Sequence, residues 1–213
     1  MPAAGIGLAP ANFIRTRLAL APLPFCSAIA LYRPTPQSGL TAWLAARDED
    51  ASPPYWAYAW AGGAALALYL DAHKQTVAGR RVLDFGAGSG LVGIAAARAG
   101  AEKVWAIEPD PLGQVALTLN AEANGVELAL WTGEGLPPVD IILAGDVFYD
   151  AAVAAATLPL LREAAAAGTT VLVGDPFRRD LPLAALELLA EYAVPDMGVA
   201  TPVRAGVFRL AGP

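Results

Sequence analysis

Residues 82–90 read Val-Leu-Asp-Phe-Gly-Ala-Gly-Ser-Gly. An apolar run stops at Asp84. Three alternating glycines follow (Gly86, Gly88, Gly90), then Leu-Val-Gly-Ile-Ala-Ala-Ala-Arg over residues 91–98, which reads as helix. The sequence therefore predicts a strand, a turn with almost no side chains, and a helix whose free N–H groups point into the turn. Such a turn suits a bound ligand, and the carboxylate of Asp84 at the strand end bears on that ligand's charge.

Outward from this stretch, strand and helix patterns alternate. Strands are expected at Arg81–Phe85, Lys103–Ile107, Glu127–Trp131, Val139–Ala144 and Thr169–Val173. Helices are expected at Ser89–Ala99, Leu112–Asn124, Ala151–Ala167 and Leu183–Glu191. Tyr192–Pro195 and Val203–Leu210 read as two final strands with no helix between them. The alternation predicts an α/β fold: a doubly wound, mainly parallel seven-stranded sheet with helices on both faces and an antiparallel C-terminal edge pair. The first 80 residues differ. They read as a helix at Phe13–Leu20, a short strand at Ala28–Arg33, a helix at Gly39–Arg47, a charged proline-containing loop over residues 47–54, and a helix at Ala64–His73. Residues 1–54 form an N-terminal extension in this reading, and 55–213 one domain.

Composition narrows the function classes. The chain has 213 residues, enough for one domain with an extension. No apolar run reaches 18 residues, so no membrane span is expected. Arg15 and Arg17 precede an apolar stretch with the look of an export signal, but Pro22 and Pro24 interrupt it. An N-terminal helix packed on the core is the expected alternative. One cysteine, Cys26, rules out an internal disulfide and suits a reducing cytoplasm. The lone His73 has no Cys or His neighbour at ligand spacing, so no metal site is expected. Fourteen basic and 20 acidic residues give a net charge of −6, and only Lys74 and Lys103 are lysines. No basic stripe is visible for nucleic acid. A cationic partner, such as a lysine-bearing protein surface, suits the charge better. Oligomeric state is not legible; a monomer is favoured.

The glycine loop has two frames. Gly88-Ser-Gly-Leu-Val-Gly93 satisfies G-x-G-x-x-G, and Glu108 follows 20 residues after Gly88, as in a dinucleotide fingerprint. The tight turn, however, begins at Gly86, and from there the third fingerprint position is Leu91. Charge also separates the readings. A carboxylate beside a pyrophosphate is unfavourable. S-adenosylmethionine instead presents an ammonium and a sulfonium, which suit Asp84, while backbone N–H groups suit its carboxylate. Glu108 ends the second strand and is placed to accept hydrogen bonds from both ribose hydroxyls. Asp110, before Pro111, is the better helix cap.

Val-Leu-Asp-Phe-Gly-Ala-Gly-Ser-Gly, Ala-Ile-Glu-Pro-Asp, Leu-Asn-Ala-Glu-Ala-Asn-Gly-Val and Asp-Ile-Ile-Leu-Ala-Gly-Asp together resemble class I, seven-strand methyltransferases over residues 55–210. That makes 55–213 a Rossmann-like methyltransferase domain. Pro53-Pro-Tyr-Trp-Ala-Tyr-Ala-Trp-Ala-Gly-Gly63, Gly145-Asp-Val-Phe-Tyr149 and Gly174-Asp175-Pro176 resemble the electron transfer flavoprotein β-subunit lysine methyltransferase family. The resemblance implies S-adenosylmethionine as cofactor and a lysine ε-amine of a protein, the flavoprotein β subunit, as methyl acceptor. It also implies that Asp146 and Tyr149 serve the substrate lysine, and that Trp60 lies over the cofactor or substrate, against a plain core-packing reading of Trp56 and Trp60. Cofactor contacts are expected at Trp60, Asp84, Gly86, Gly88, Gly90, Glu108, Pro109 and Asp146. Trp131 is expected to stack near the adenine, with Thr132 or Gly133 offering a backbone hydrogen bond.

Two related readings are weaker. Methyltransferases of large-subunit ribosomal proteins resemble residues 82–125, but carry an Asn-containing motif where this chain has Ala-Gly-Asp-Val-Phe-Tyr. Amino methyltransferases of DNA or glutamine share Ser52-Pro-Pro-Tyr55, but no basic surface or target-recognition domain accompanies it. N-methylation of a small amine or a pyridine such as nicotinamide stays open as the alternative substrate class.

Overall fold

The structure is a computed structural model that describes residues 7–47, 53–198 and 200–212. The acidic part of the loop expected after Arg47 falls at 48–52, outside the described residues. The chain opens with α1 (Pro10–Arg17), the hairpin β1 (Ala19–Leu23) and β2 (Cys26–Arg33), and α2 (Leu40–Ala45). Then come α3 (Ala61–Ala72), β3 (Arg81–Phe85), α4 (Leu91–Arg98), β4 (Lys103–Ile107), α5 (Pro111–Ala123) and β5 (Ala129–Leu130). The last elements are β6 (Ile141–Gly145), α6 (Ala151–Ala166), β7 (Thr170–Asp175), β8 (Leu186–Val194) and β9 (Val203–Leu210).

Strands β3–β9 form one seven-stranded sheet in the order β5-β4-β3-β6-β7-β9-β8. The pairs from β5 to β7 are parallel, and β9 pairs antiparallel with both β7 and β8. The expected doubly wound sheet with an antiparallel C-terminal pair is what the chain forms. The chain runs outward from β3 through β4 to β5, then returns to β6 beside β3. That reversal opens a crevice beyond the carboxyl ends of β3 and β6, where ligands of such sheets bind.

Two expectations fail. Leu183–Glu191 is not a helix: a single 3₁₀ turn at Leu183–Ala185 leads into β8, which also absorbs the short strand expected at Tyr192–Pro195. Leu, Ala and Glu favour helix locally. Pairing with β9 from Leu186↔Leu210 to Val194↔Val203 overrides that preference. The strand expected over Glu127–Trp131 shrinks to two residues, because only Ala129 and Leu130 find partners on β4. The apolar stretch after Arg17 becomes the β1–β2 hairpin, of which only the second strand was expected.

Apolar side chains of β3 and β4 divide the core. Val82 and Val104 pack with α3 and α4, while Leu83 packs with Leu161 of α6 and Phe148. The hairpin is tied to the glycine loop through α5. Asn120, fully buried, accepts from the N–H of Tyr32 (2.8 Å) and donates to the carbonyl of Ser89 (2.8 Å). One turn on, Asn124 accepts from the N–H of Ala30 at 3.0 Å and donates to its carbonyl at 2.6 Å.

Helix α3 meets the sheet backbone to backbone. A Cβ on Gly62 would fall inside the van der Waals radius of the Gly174 carbonyl, and one on Gly145 would lie 3.0 Å from the Cα of Gly63. Only glycines allow this approach. Gly62→Ala is therefore expected to destabilise the fold by about 3 kcal/mol, lowering the melting temperature by roughly 6–12 °C. Thermal unfolding followed by circular dichroism measures it.

Candidate active site

The crevice is a cavity of about 980 Å³. Of the residues singled out in the sequence, Trp60, Asp84, Gly86, Gly88, Glu108, Pro109, Asp146 and Tyr149 line it. Gly86, Gly88 and Gly90 all take positive φ (72°, 52° and 79°). Gly90 caps α4 behind the wall; a Cβ there would meet Leu117 at 3.1 Å. Trp131, Thr132 and Gly133 are not among the lining residues. The indole of Trp131 folds back over Gly133 and donates to the carbonyl of Gly135 at 2.9 Å.

Asp84 ends β3 with 1% of its surface exposed. Its Oδ2 accepts from the N–H of Gly93 at 2.7 Å, on the first turn of α4. Burial pushes its pKa up to about 7, against the Gly93 hydrogen bond, and the nearby Glu108 adds to the rise. Glu108 sits at the end of β4 and braces the loop. Its Oε2 accepts from the N–H of Gly88 (2.6 Å) and its Oε1 from that of Asp110 (2.8 Å). Burial raises this carboxyl too. Asp110 caps α5 through the N–H of Leu112 at 2.8 Å, as the sequence suggested.

Asp146 follows β6 with φ 59°, a left-handed backbone that a non-glycine residue adopts at a cost. Asp150, not Asp146, caps α6. The Asp146 carboxylate is shared: Oδ2 accepts from the N–H of Gly63 at 2.7 Å, and Oδ1 from Nη1 of Arg178 at 2.5 Å. Burial raises its pKa, while Arg178 and the N–H groups of Gly62 and Gly63 oppose the rise. Sequence reading missed Arg178. The one available signal was that carboxylates at two neighbouring strand ends, Asp146 and Asp175, need a cation once buried.

The cavity mouth is aromatic. Tyr55 stands 5.2 Å from Tyr149 and 5.7 Å from Trp60, centroid to centroid, and Tyr58 is 5.9 Å from Trp60. Trp56 and Trp60 do not share a helical face. A 3₁₀ turn at Tyr55–Ala57 buries Trp56 in the core, while Trp60 starts α3 and donates to the Tyr55 carbonyl at 2.8 Å. Tyr149 is 46% exposed, at the entrance.

Known proteins match this arrangement. The family model for ribosomal protein L11 methyltransferase (PrmA) matches residues 65–153. A Xenopus laevis electron transfer flavoprotein beta subunit lysine methyltransferase is 40% identical over 153 residues, 67% of this chain and 62% of that protein. A Caenorhabditis elegans homolog of the same enzyme is 31% identical over 171 residues, 70% of this chain and 69% of that protein. The chain belongs to the electron transfer flavoprotein β-subunit lysine methyltransferase family.

It spans less than two thirds of the length of the Xenopus relative, and 61% of a rat one. The solved structure of a putative RNA methyltransferase from Pyrococcus horikoshii shares the fold, with a TM-score of 0.56 at 16% identity over 76% of this chain and 90% of that one. Within this family member the glycine loop, Glu108 and Asp146 converge on one cavity.

Asp84 gives the site a pH signature. Its folded pKa of about 7 lies above the ordinary carboxylate value, so the native state holds the proton more tightly than the unfolded chain. The resulting stabilisation is full below about pH 4 and is lost as pH rises to 7. Asp175, pushed up to about 6 by burial, acts with the same sign. Ligand-free protein is expected to lose stability between pH 4.5 and 7.5. Asp84→Asn should remove about 3 kcal/mol of that loss, read from denaturant unfolding at each pH.

Proposed function

We propose that this chain is an S-adenosylmethionine-dependent protein-lysine N-methyltransferase acting on the β subunit of electron transfer flavoprotein. In this reading it works in the cytoplasm as a monomer, with residues 55–213 as the methyltransferase unit and 1–54 as its extension. The observation that carries the reading is the pairing of two strand ends across the topological switch point. The acidic glycine loop of β3 faces one part of the cavity, and Asp146 with the aromatic mouth faces the other.

The residues present suit the cofactor. Asp84 is a desolvated carboxyl whose hydrogen bond among the described residues comes from Gly93, so a cation from the cavity would restore its charge. Glu108 uses two of about four acceptor positions on the backbone, which leaves two for a pair of ribose hydroxyls. Gly86 and Gly88 keep the loop free of side chains where the cofactor's amino-acid portion would lie. When bound, S-adenosylmethionine supplies an electrophilic methyl group on a sulfonium.

The protein's own work is on the amine. A free lysine is cationic at pH 7, and neutralising it costs about 4–5 kcal/mol. Tyr55, Trp60 and Tyr149 strip water from the entering side chain and steer it inward. Asp146 lies beyond them at the end of β6 and would orient the nitrogen with its lone pair toward the cavity. Alignment of the two reacting atoms supplies much of the remaining acceleration.

Incubation with tritiated S-adenosylmethionine and purified flavoprotein β subunit tests the reading. Label is expected on a lysine of that subunit. Asp146→Asn should lower kcat/KM about 100-fold, roughly 2.7 kcal/mol. Label confined to a small-molecule fraction would overturn the protein substrate.

A further inference from the structure

Arg178, on the cavity wall, has no task in the mechanism so far. Arg178 lies in the loop after β7, and its side chain is 22% exposed. The loop is built to aim it. The N–H of Arg178 donates to Oδ1 of Asp175 at 2.6 Å, closing a tight turn. Within that turn Phe177 takes φ 62°, a strained conformation for a bulky residue. The strain is held by packing: the Phe177 ring meets Phe208 edge-on at 5.3 Å and carries the Arg204 guanidinium 4.1 Å above it. The turn sends the Arg178 side chain back across the end of β7. Its Nη1 reaches Oδ1 of Asp146 at 2.5 Å and Oδ2 of Asp175 at 3.3 Å.

We propose that Arg178 is a positioning residue for the methyl-accepting amine: paired with Asp146, it cancels that carboxylate's charge, so that the amine docks uncharged with its lone pair free. The inference rests on the methyltransferase reading above. A bare carboxylate at the end of β6 would capture the substrate as ammonium, whose lone pair is occupied by a proton. Such a site binds well and reacts badly. With the guanidinium in place Asp146 keeps its orienting oxygens, but its field toward the cavity is largely cancelled. The other charged groups around the pair leave this balance in place. Asp175 already shares the guanidinium from β7, and Asp196, beyond β8, acts on it electrostatically. Across the cavity stand Asp84 on β3, Glu108 just past β4, Asp110 at the start of α5, and the phenols of Tyr55, Tyr58 and Tyr149. Arg47 is the other cation on the wall among the described residues.

Removing the guanidinium would return the full carboxylate charge to the amine, raising the pH at which the bound amine loses its proton by about one unit or more. The full chain and its Arg178→Met and Arg178→Lys variants are assayed for methyl transfer from S-adenosylmethionine to flavoprotein β subunit, with kcat and KM followed from pH 6.5 to 10. Arg178→Met is expected to move the acidic limb of kcat upward by at least about one pH unit, with KM at pH 7 unchanged or lower. Arg178→Lys should keep the wild-type limb. Should Arg178→Met fail to fold, Arg178→Gln, which keeps a donor but no charge, is expected to show the same shift. A kcat reduced by one factor at every pH, with the limb unmoved, would mean a structural clamp and overturn the proposal. A raised KM alone would overturn it too. Wild-type protein that binds S-adenosylhomocysteine yet methylates no lysine would sink the parent reading and this inference together, a result distinct from turnover with an unmoved limb.

Discussion

The carboxylate of Asp146 is the junction of the molecule. It sits where β6 ends, holds the first turn of α3 through the N–H of Gly63, and receives the loop after β7 through Arg178. These two contacts meet within one side chain because glycines at 62, 63, 145 and 174 let α3 lie against the strand ends without side chains between them. A larger residue at position 62, 145 or 174 would lift α3 and carry its entrance aromatic, Trp60, away from Tyr55. The shape of the cavity is thus a consequence of backbone packing, and its chemistry follows from which carboxylates that packing buries.

Those carboxylates share a physical condition. Asp84, Glu108, Asp146 and Asp175 all have burial as the main influence on their ionisation, and for each it pushes the pKa upward. Backbone N–H groups and Arg178 offset part of this. The site is therefore rich in buried carboxyls, which suits a ligand that brings positive charge with it. A pyrophosphate would add negative charge to the same place. The G-x-G-x-x-G frame at Gly88–Gly93 is matched by the letters, but Gly93 serves to bring its N–H to Asp84, a helix-to-strand contact.

Much of this was legible in the sequence, and the failures have identifiable causes. Strands β3, β4 and β9 coincide with their expected bounds because apolar runs there end on turn residues. Asp110 was readable as a cap because capping is a local interaction. Residues 186–191 were misread because their helical composition yields to a long-range pairing with β9. The role of Asn120 and Asn124 was hidden for the same reason: each bonds to a hairpin about 90 residues earlier. Arg178 was missed because the Gly174-Asp175-Pro176 motif beside it does not by itself say which cation its carboxyl meets. Its meaning comes from Asp146, 32 residues away, and from a turn whose strain is held by Phe208. Trp131 shows the reverse case, a residue with a motif-like position whose indole is committed to its own loop.

The crevice between β3 and β6 is then an acidic site for S-adenosylmethionine. Calorimetric titration of the protein with S-adenosylmethionine and, separately, with NAD tests it most directly. Saturable one-to-one binding of S-adenosylmethionine in the micromolar range, lost in Glu108→Ala, and no heat from NAD are expected. Saturable binding of NAD that Glu108→Ala abolishes, with none of S-adenosylmethionine, would contradict it.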